Sequence, residues 1–236
     1  MQIVEYTSGS NILVKFEDGT TVKASVGNFK AGRVKNPNSP CVFGVGAVGD
    51  KYPIRKDGKV IKEYTMWQGI LERCYSSRSK LNPKNNTYKN CMVDEKWLYF
   101  PNFFDWVHAQ ENYDQWKLGG YAIDKDIIKK GNNIYSDQYC SLVPAYINNL
   151  FTKHDAARGP YPIGVCKGPY SFEVHVSGVD KNYHLSGFSS PEDAFKAYKE
   201  IKESVVKKHA EKEYASRRIS KRCFDAMLNY VVEITD

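Results

Sequence analysis

Near Tyr64 the apolar residues of this chain stop alternating and begin to recur at offsets of three and four. A period of two places a side chain on each face of a strand in turn, whereas three and four mark one face of a helix. The switch divides the chain into regions that cannot belong to one repeating architecture. Before it, Ile3–Tyr6, Ile12–Phe16 and the alternating Thr21–Val26 read as short strands. Asp18-Gly19 and Asp57-Gly58 are hairpin turns, the second joining strands at 52–56 and 59–64. A small barrel or a meander fits this region, and pattern alone does not choose between them.

After the switch, Trp67, Ile70, Leu71 and Cys74 form a helix face. Residues 81–90, rich in Asn, Lys and Pro, read as a loop. Trp97, Phe100, Phe103, Phe104, Trp106 and Val107 supply rings enough to anchor a core, with Asn102 as the expected cap of a short helix. A strand is expected over 121–128, a turn over 129–133, a second strand over 140–143, and a helix opened by Pro144 and running through Phe151. Residues 153–162 read as a linker. Three short strands follow at 163–167, 171–177 and 183–188. Ser190-Pro191-Glu192-Asp193 then opens a helix, with Ser190 as N-cap and Pro191 in the first turn. The expectation is a multi-domain α+β chain: an N-terminal β module over 1–60, a ββα region with helices over 61–152, and a three-stranded sheet with helices over 163–236.

Composition bounds the function classes. The formal charge is +7, from 34 Lys and Arg against 27 Asp and Glu. That excess favours a polyanionic partner, and it is concentrated: residues 196–222 hold ten Lys or Arg and four Glu. The six cysteines form no C-x-x-C pair and no zinc-type spacing with histidine, so reduced thiols are expected. Met1-Gln2-Ile3 opens neither a charged n-region nor an apolar h-region. No apolar run approaches the ~20 residues of a membrane span. Cytoplasmic residence, without a membrane, is the expectation.

Several ordered motifs resemble a known family. Trp67 with Leu71-Glu72-Arg73-Cys74-Tyr75 is similar to the W-x-x-M-L-x-R-C-Y opening of phage HNH homing-endonuclease-like proteins. Val93 to Trp97, Phe100 and Phe103 to Trp106 resemble the aromatic run that follows it there. Ile123-Asp124-Lys125-Asp126, Gly131-Asn132, Tyr135-Ser136 and Cys140 resemble the segment L-D-x-D…G-N-x-Y-S…C. The resemblance spans about residues 60–155. Gly164-Val165, Phe172, Leu185 to Phe188 and Ala194 to Tyr198 are similar to the APETALA2-type DNA-binding fold, three strands and a helix whose sheet enters the major groove.

The resemblance implies a site and a defect in it. An HNH nuclease activates water with a histidine and holds one divalent metal, Mg or Mn, with an acid and a helix residue. Its register places Asp124 and Asn148, with Asn149 as alternative, at the metal positions, and Lys125 where the basic histidine belongs. A lysine of ordinary pKa, ~10.4, is protonated at neutral pH and accepts no proton. His108, His175, His184 and His209 do not replace it by sequence position, and His154 has the one plausible path inward. Lys125 paired with a neighbouring carboxylate would stiffen the hairpin where a metal once sat, and no cofactor is then required.

For nucleic acid, strand alternation turns Ser171, Glu173, His175 and Ser177 outward and Phe172, Val174 and Val176 toward the helix. Relatives often carry Arg or Lys on that outer face, so Glu173 is a departure. Lys167, Tyr170, His175, Lys181 and His184 are the candidate contacts. Lys207, Lys208, Lys212, Arg217 and Arg218 are a second candidate footprint, which Glu200, Glu203, Glu211 and Glu213 could neutralise within the helix. Three readings follow: a catalytically inactive DNA-binding protein with double-stranded DNA as partner, an active metal-dependent nicking enzyme, or a protein-binding inhibitor of a host defence or nucleic-acid enzyme.

Overall fold

A computed structural model describes residues 1–81, 88–152 and 159–236, Lys80 by its backbone only. The chain is of mixed α and β structure, with several small sheets and no closed barrel among the described residues. It groups into two compact units, 1–107 and 108–236, so the region 61–152 lies partly in each.

In the first unit, β1 (Gln2–Ser8), β2 (Asn11–Lys15) and β3 (Thr21–Ala24) form an antiparallel meander. Only β2 buries side chains fully, Ile12 and Val14, while β1 is exposed along its length. The alternation expected through Val26 ends earlier. Ser25 extends its backbone, accepts from the Asn28 amide at 3.1 Å and starts α1 (Val26–Lys30). At the next hairpin Asp57 and Gly58 both take positive φ, the conformation of a type I′ turn. Its strands β4 (Arg55–Lys56) and β5 (Lys59–Val60) are two residues each, because α2 (Lys62–Tyr75) begins at once. Residues 62–64 are therefore helical, not strand.

A short helix, α3 (Ser77–Leu81), and a strand segment, β6 (Met92–Val93), precede α4 (Phe100–His108). Trp67, Ile70, Leu71 and Cys74 of α2 are buried with Trp97, Phe100 and Phe103. Trp97 meets Phe103 edge-on at 5.0 Å, and the Trp67 indole N–H donates to the Trp97 carbonyl at 2.6 Å. Burying each ring contributes about 3 kcal/mol, and satisfying the indole removes the cost of hiding its N–H. Asn102 is inside α4 rather than at its cap: its side-chain amide donates to the Lys96 carbonyl at 2.8 Å.

The second unit contains α5 (Tyr113–Leu118), β7 (Tyr121–Asp124), β8 (Ile134–Tyr135), β9 (Ser141–Pro144) and α6 (Ala145–Leu150). β7 and β9 pair antiparallel, with Asp124 opposite Ser141, and α6 packs on both: a ββα arrangement. β7 stops four residues sooner than its apolar pattern suggests, because Asp124 turns the chain. After residue 159 come β10 (Val165–Lys167), β11 (Phe172–Ser177) and β12 (Asn182–Phe188), one antiparallel sheet in that order.

A 25-residue helix, α7 (Pro191–Ala215), then runs about 37 Å. Ser190 caps it as expected, accepting from the Asp193 amide at 3.1 Å. Its first half, through Ala194, Phe195 and Tyr198, covers Val165, Val174 and Val176 of the sheet. Its second half, through Val205, Val206 and Ala210, joins Val143, Ile147 and Leu150 of the ββα arrangement and Cys223 and Met227 of α8 (Lys221–Leu228). One helix thus serves as the roof of two cores. The approach at the sheet end is close: a Cβ on Gly164, which has φ of +73°, would lie 2.0 Å from the Tyr198 ring. All six cysteines are free thiols. No described helix is long and apolar enough to cross a membrane.

Candidate functional site

At the tip of the ββα hairpin, Asp124 ends β7 and folds its carboxylate back on the chain. Its Oδ1 accepts from the amides of Asp126 at 2.8 Å and Ile127 at 2.6 Å. This is the local bonding by which aspartate shapes turns. Burial pushes the Asp124 carboxyl above the ordinary carboxylate range, opposed by those two amides. Lys125 is buried, 8% exposed. Its Nζ donates to Asp126 Oδ2 at 2.6 Å and to the Asn132 carbonyl at 2.8 Å. Asn132 reciprocates: its Nδ2 donates to the carbonyls of Lys125 and Ile134, both at 2.8 Å. Lysine and asparagine therefore lock the two sides of the connection between β7 and β8.

That geometry fits a divalent metal poorly. An ammonium beside the acids repels a second cation, and one oxygen of Asp124 is occupied by two amides. Asn148, half-buried, and Asn149, exposed, both lie on α6. Among the described residues, the one group of three His, Cys, Asp or Glu donors close enough to share an ion lies elsewhere, on the C-terminal sheet. His154 lies outside the described residues. His209 is buried in α7, where burial lowers its pKa, and does not reach the solvent-facing basic side.

The second candidate region is the sheet. α7 covers one face and leaves the other outward, with Val174 and Val176 buried and His175 and Ser177 exposed, the alternation expected from sequence. Lys167 and Tyr170 lie at the β10–β11 end, Lys181 at the β11–β12 end. Tyr170 is 98% exposed. The Lys167 amine sits 4.2 Å from the Phe172 ring centroid, and that of Lys181 4.6 Å from the Tyr183 centroid. Between these ends Glu173 occupies the middle. Its Oε2 lies 3.1 Å from His184 Nε2 and 3.8 Å from His175 Nε2, and the two imidazoles stack with centroids 4.5 Å apart.

The basic stretch is divided by burial. Lys207, Lys208 and Lys212 are exposed, and the last two approach Asp180 at 3.8 and 3.7 Å. Arg217 is exposed with φ of +55° where α7 ends. Arg218 turns back: it donates to the Tyr146 hydroxyl at 3.1 Å and lies 3.6 Å from Glu213 Oε2. Tyr146 also donates to that oxygen, at 2.7 Å. Lys202 is in the core, and burial pulls its pKa down to about 8. Charge counting missed both. Lys202 carries a signal in its spacing, three residues before Val205 and four after Tyr198, which puts it on the apolar face. The Glu213–Tyr146–Arg218 network carries none, since its members lie far apart in sequence.

No family model, no curated protein and no solved structure matches this chain.

Proposed function

We propose that this chain is a phage-type DNA-binding protein derived from an HNH homing endonuclease, and that it no longer cleaves. The observation that carries the reading is the state of Lys125. At the position the resemblance gives to the general base stands a buried ammonium bonded to Asp126 and Asn132. Its two acceptors hold the amine as an ammonium, which has no lone pair to take a proton from water. The hairpin serves as scaffold. The DNA-facing groups are Lys167, Tyr170 and Lys181 at the ends of the open sheet, with Lys207, Lys208 and Lys212 adding phosphate contacts that are independent of base sequence.

A protein-directed role, inhibition of a host defence or nucleic-acid enzyme, is favoured by one observation. Glu173 sits at the centre of the outward face, where it repels phosphate.

The test is a titration of labelled duplex DNA at two salt concentrations, with wild type and a Lys167→Ala/Lys181→Ala double variant. The expected result is a salt-sensitive shift, with the slope of log affinity against log salt smaller by roughly 1–2 in the variant. No shift at either salt would sink the DNA reading in favour of the protein-directed one.

A further inference from the structure

The outward face of the C-terminal sheet holds a cluster of donors that packing does not require. Cys166, Glu173 and His175 come from β10 and β11, and their donor atoms lie within 4.8 Å of one another. Cys166 is directly opposite Glu173 in the ladder, and His175 follows two residues on, so all three project from one face. His175 is in turn opposite His184 on β12.

Two features of the backbone aim Glu173 into this group. First, the β11–β12 register slips between Phe172 and Val174, so Glu173 has its ladder partner on β10 and none on β12. Irregularities of this kind re-aim side chains. Second, Glu173 packs against Gly168 in the hairpin. A Cβ there would stand 2.1 Å from Glu173 Oε1, so a side chain at position 168 would push the carboxylate out. His184 holds the same carboxylate from the other side at 3.1 Å.

We infer that Cys166, Glu173 and His175 form a binding site for a borderline-soft divalent transition metal, zinc foremost. Thiolate, imidazole and carboxylate are its donor set. With ligands at about 2.0–2.3 Å, a tetrahedral zinc ion separates its donor atoms by about 3.3–3.8 Å. The Glu173–His175 distance of 3.8 Å is already there, and the Cys166 sulfur lies within 4.8 Å of both donors. His184 is a positioning residue that orients the Glu173 carboxylate, as outer hydrogen-bond partners do at metal sites. Three protein ligands leave the fourth position to water. Binding as the thiolate releases the Cys166 proton to solvent. The site is independent of the DNA reading and stands or falls separately.

The test is Co²⁺ titration of the reduced full chain, followed by back-titration with Zn²⁺. The expected result is one equivalent of Co²⁺ with a thiolate-to-cobalt charge-transfer band and the visible bands of tetrahedral coordination, all removed by Zn²⁺. Cys166→Ser abolishes the charge-transfer band. His175→Gln weakens binding by about tenfold or more, and His184→Gln weakens it less than His175→Gln does. Cys41→Ser, at the one other cysteine that is not buried, leaves the spectrum unchanged. Circular dichroism of the metal-free variants checks that each folds. Absence of the charge-transfer band in wild type overturns the inference, as does its survival in Cys166→Ser or its loss in Cys41→Ser.

Discussion

The hairpin tip around Lys125 and the open face around Glu173 are both small polar clusters on β-structure, and they differ in where their polar atoms point. At the tip, Lys125, Asp124, Asp126 and Asn132 bond to one another and to the backbone, with Lys125 and Asn132 buried and the Asp126 side chain partly in solvent. On the sheet, Cys166, Glu173, His175 and His184 gather on the face opposite α7, which no described element of their own unit covers. The first arrangement holds a turn together. The second presents donors to whatever arrives from solution. A cluster of ionisable groups thus points to chemistry only when its lone pairs are left over after folding.

The difference breaks down if Lys125 proves dispensable. Lys125→Ala leaves the Asn132 carbonyl without its buried donor and Asp126 without its cation, and should destabilise the protein by about 2–4 kcal/mol in a urea melt. A loss under ~0.5 kcal/mol would mean that the tip is not organised by its lysine.

A second substitution probes the helix that serves both regions. Lys202 is 8% exposed in the middle of α7, and its pKa is pulled down to about 8 by burial. Below that pH the folded state carries a buried charge that the unfolded state solvates. Between about 8 and the ordinary lysine value the unfolded chain binds the extra proton, so this group's contribution to stability rises with pH. Lys202→Met should therefore stabilise by on the order of 2 kcal/mol at pH 7. The advantage should shrink as pH rises above 8. An advantage constant from pH 7 to 10 would place the effect in packing rather than charge.

The smallest effect separates the two roles open to Asp124. As a turn former it needs only an oxygen acceptor, so Asp124→Asn should change stability by less than about 0.5 kcal/mol, while Asp124→Ala loses about 1–2 kcal/mol. Equal losses in both variants would show that the charge itself matters, as a metal ligand requires.

Much of this was legible in the sequence wherever one local rule decides. Periodicity located α2 and the sheet, Ser190-Pro191 located the start of α7, and alternation along β11 gave the correct outward face. Boundaries were lost where a side chain competes with the pattern. Asp124 halts β7 by capturing two amides, and Ser25 diverts β3 into a helix. What sequence could not supply is partnership across distance. Lys125 meets Asn132 through a turn, Arg218 meets Tyr146 through the fold of α7, and Cys166 meets Glu173 through strand register. Counting charge over residues 196–222 places Lys202 with the exposed Lys207, Lys208 and Lys212, because a count does not say which side of the helix is core.

The most direct measurement is strand nicking of supercoiled plasmid by the purified chain in manganese, with Asp124→Ala in parallel. Intact plasmid, retarded by bound protein at low salt, is the predicted result. Nicks that require manganese and vanish in Asp124→Ala would contradict it, and would return Lys125 and its neighbours from scaffold to catalyst.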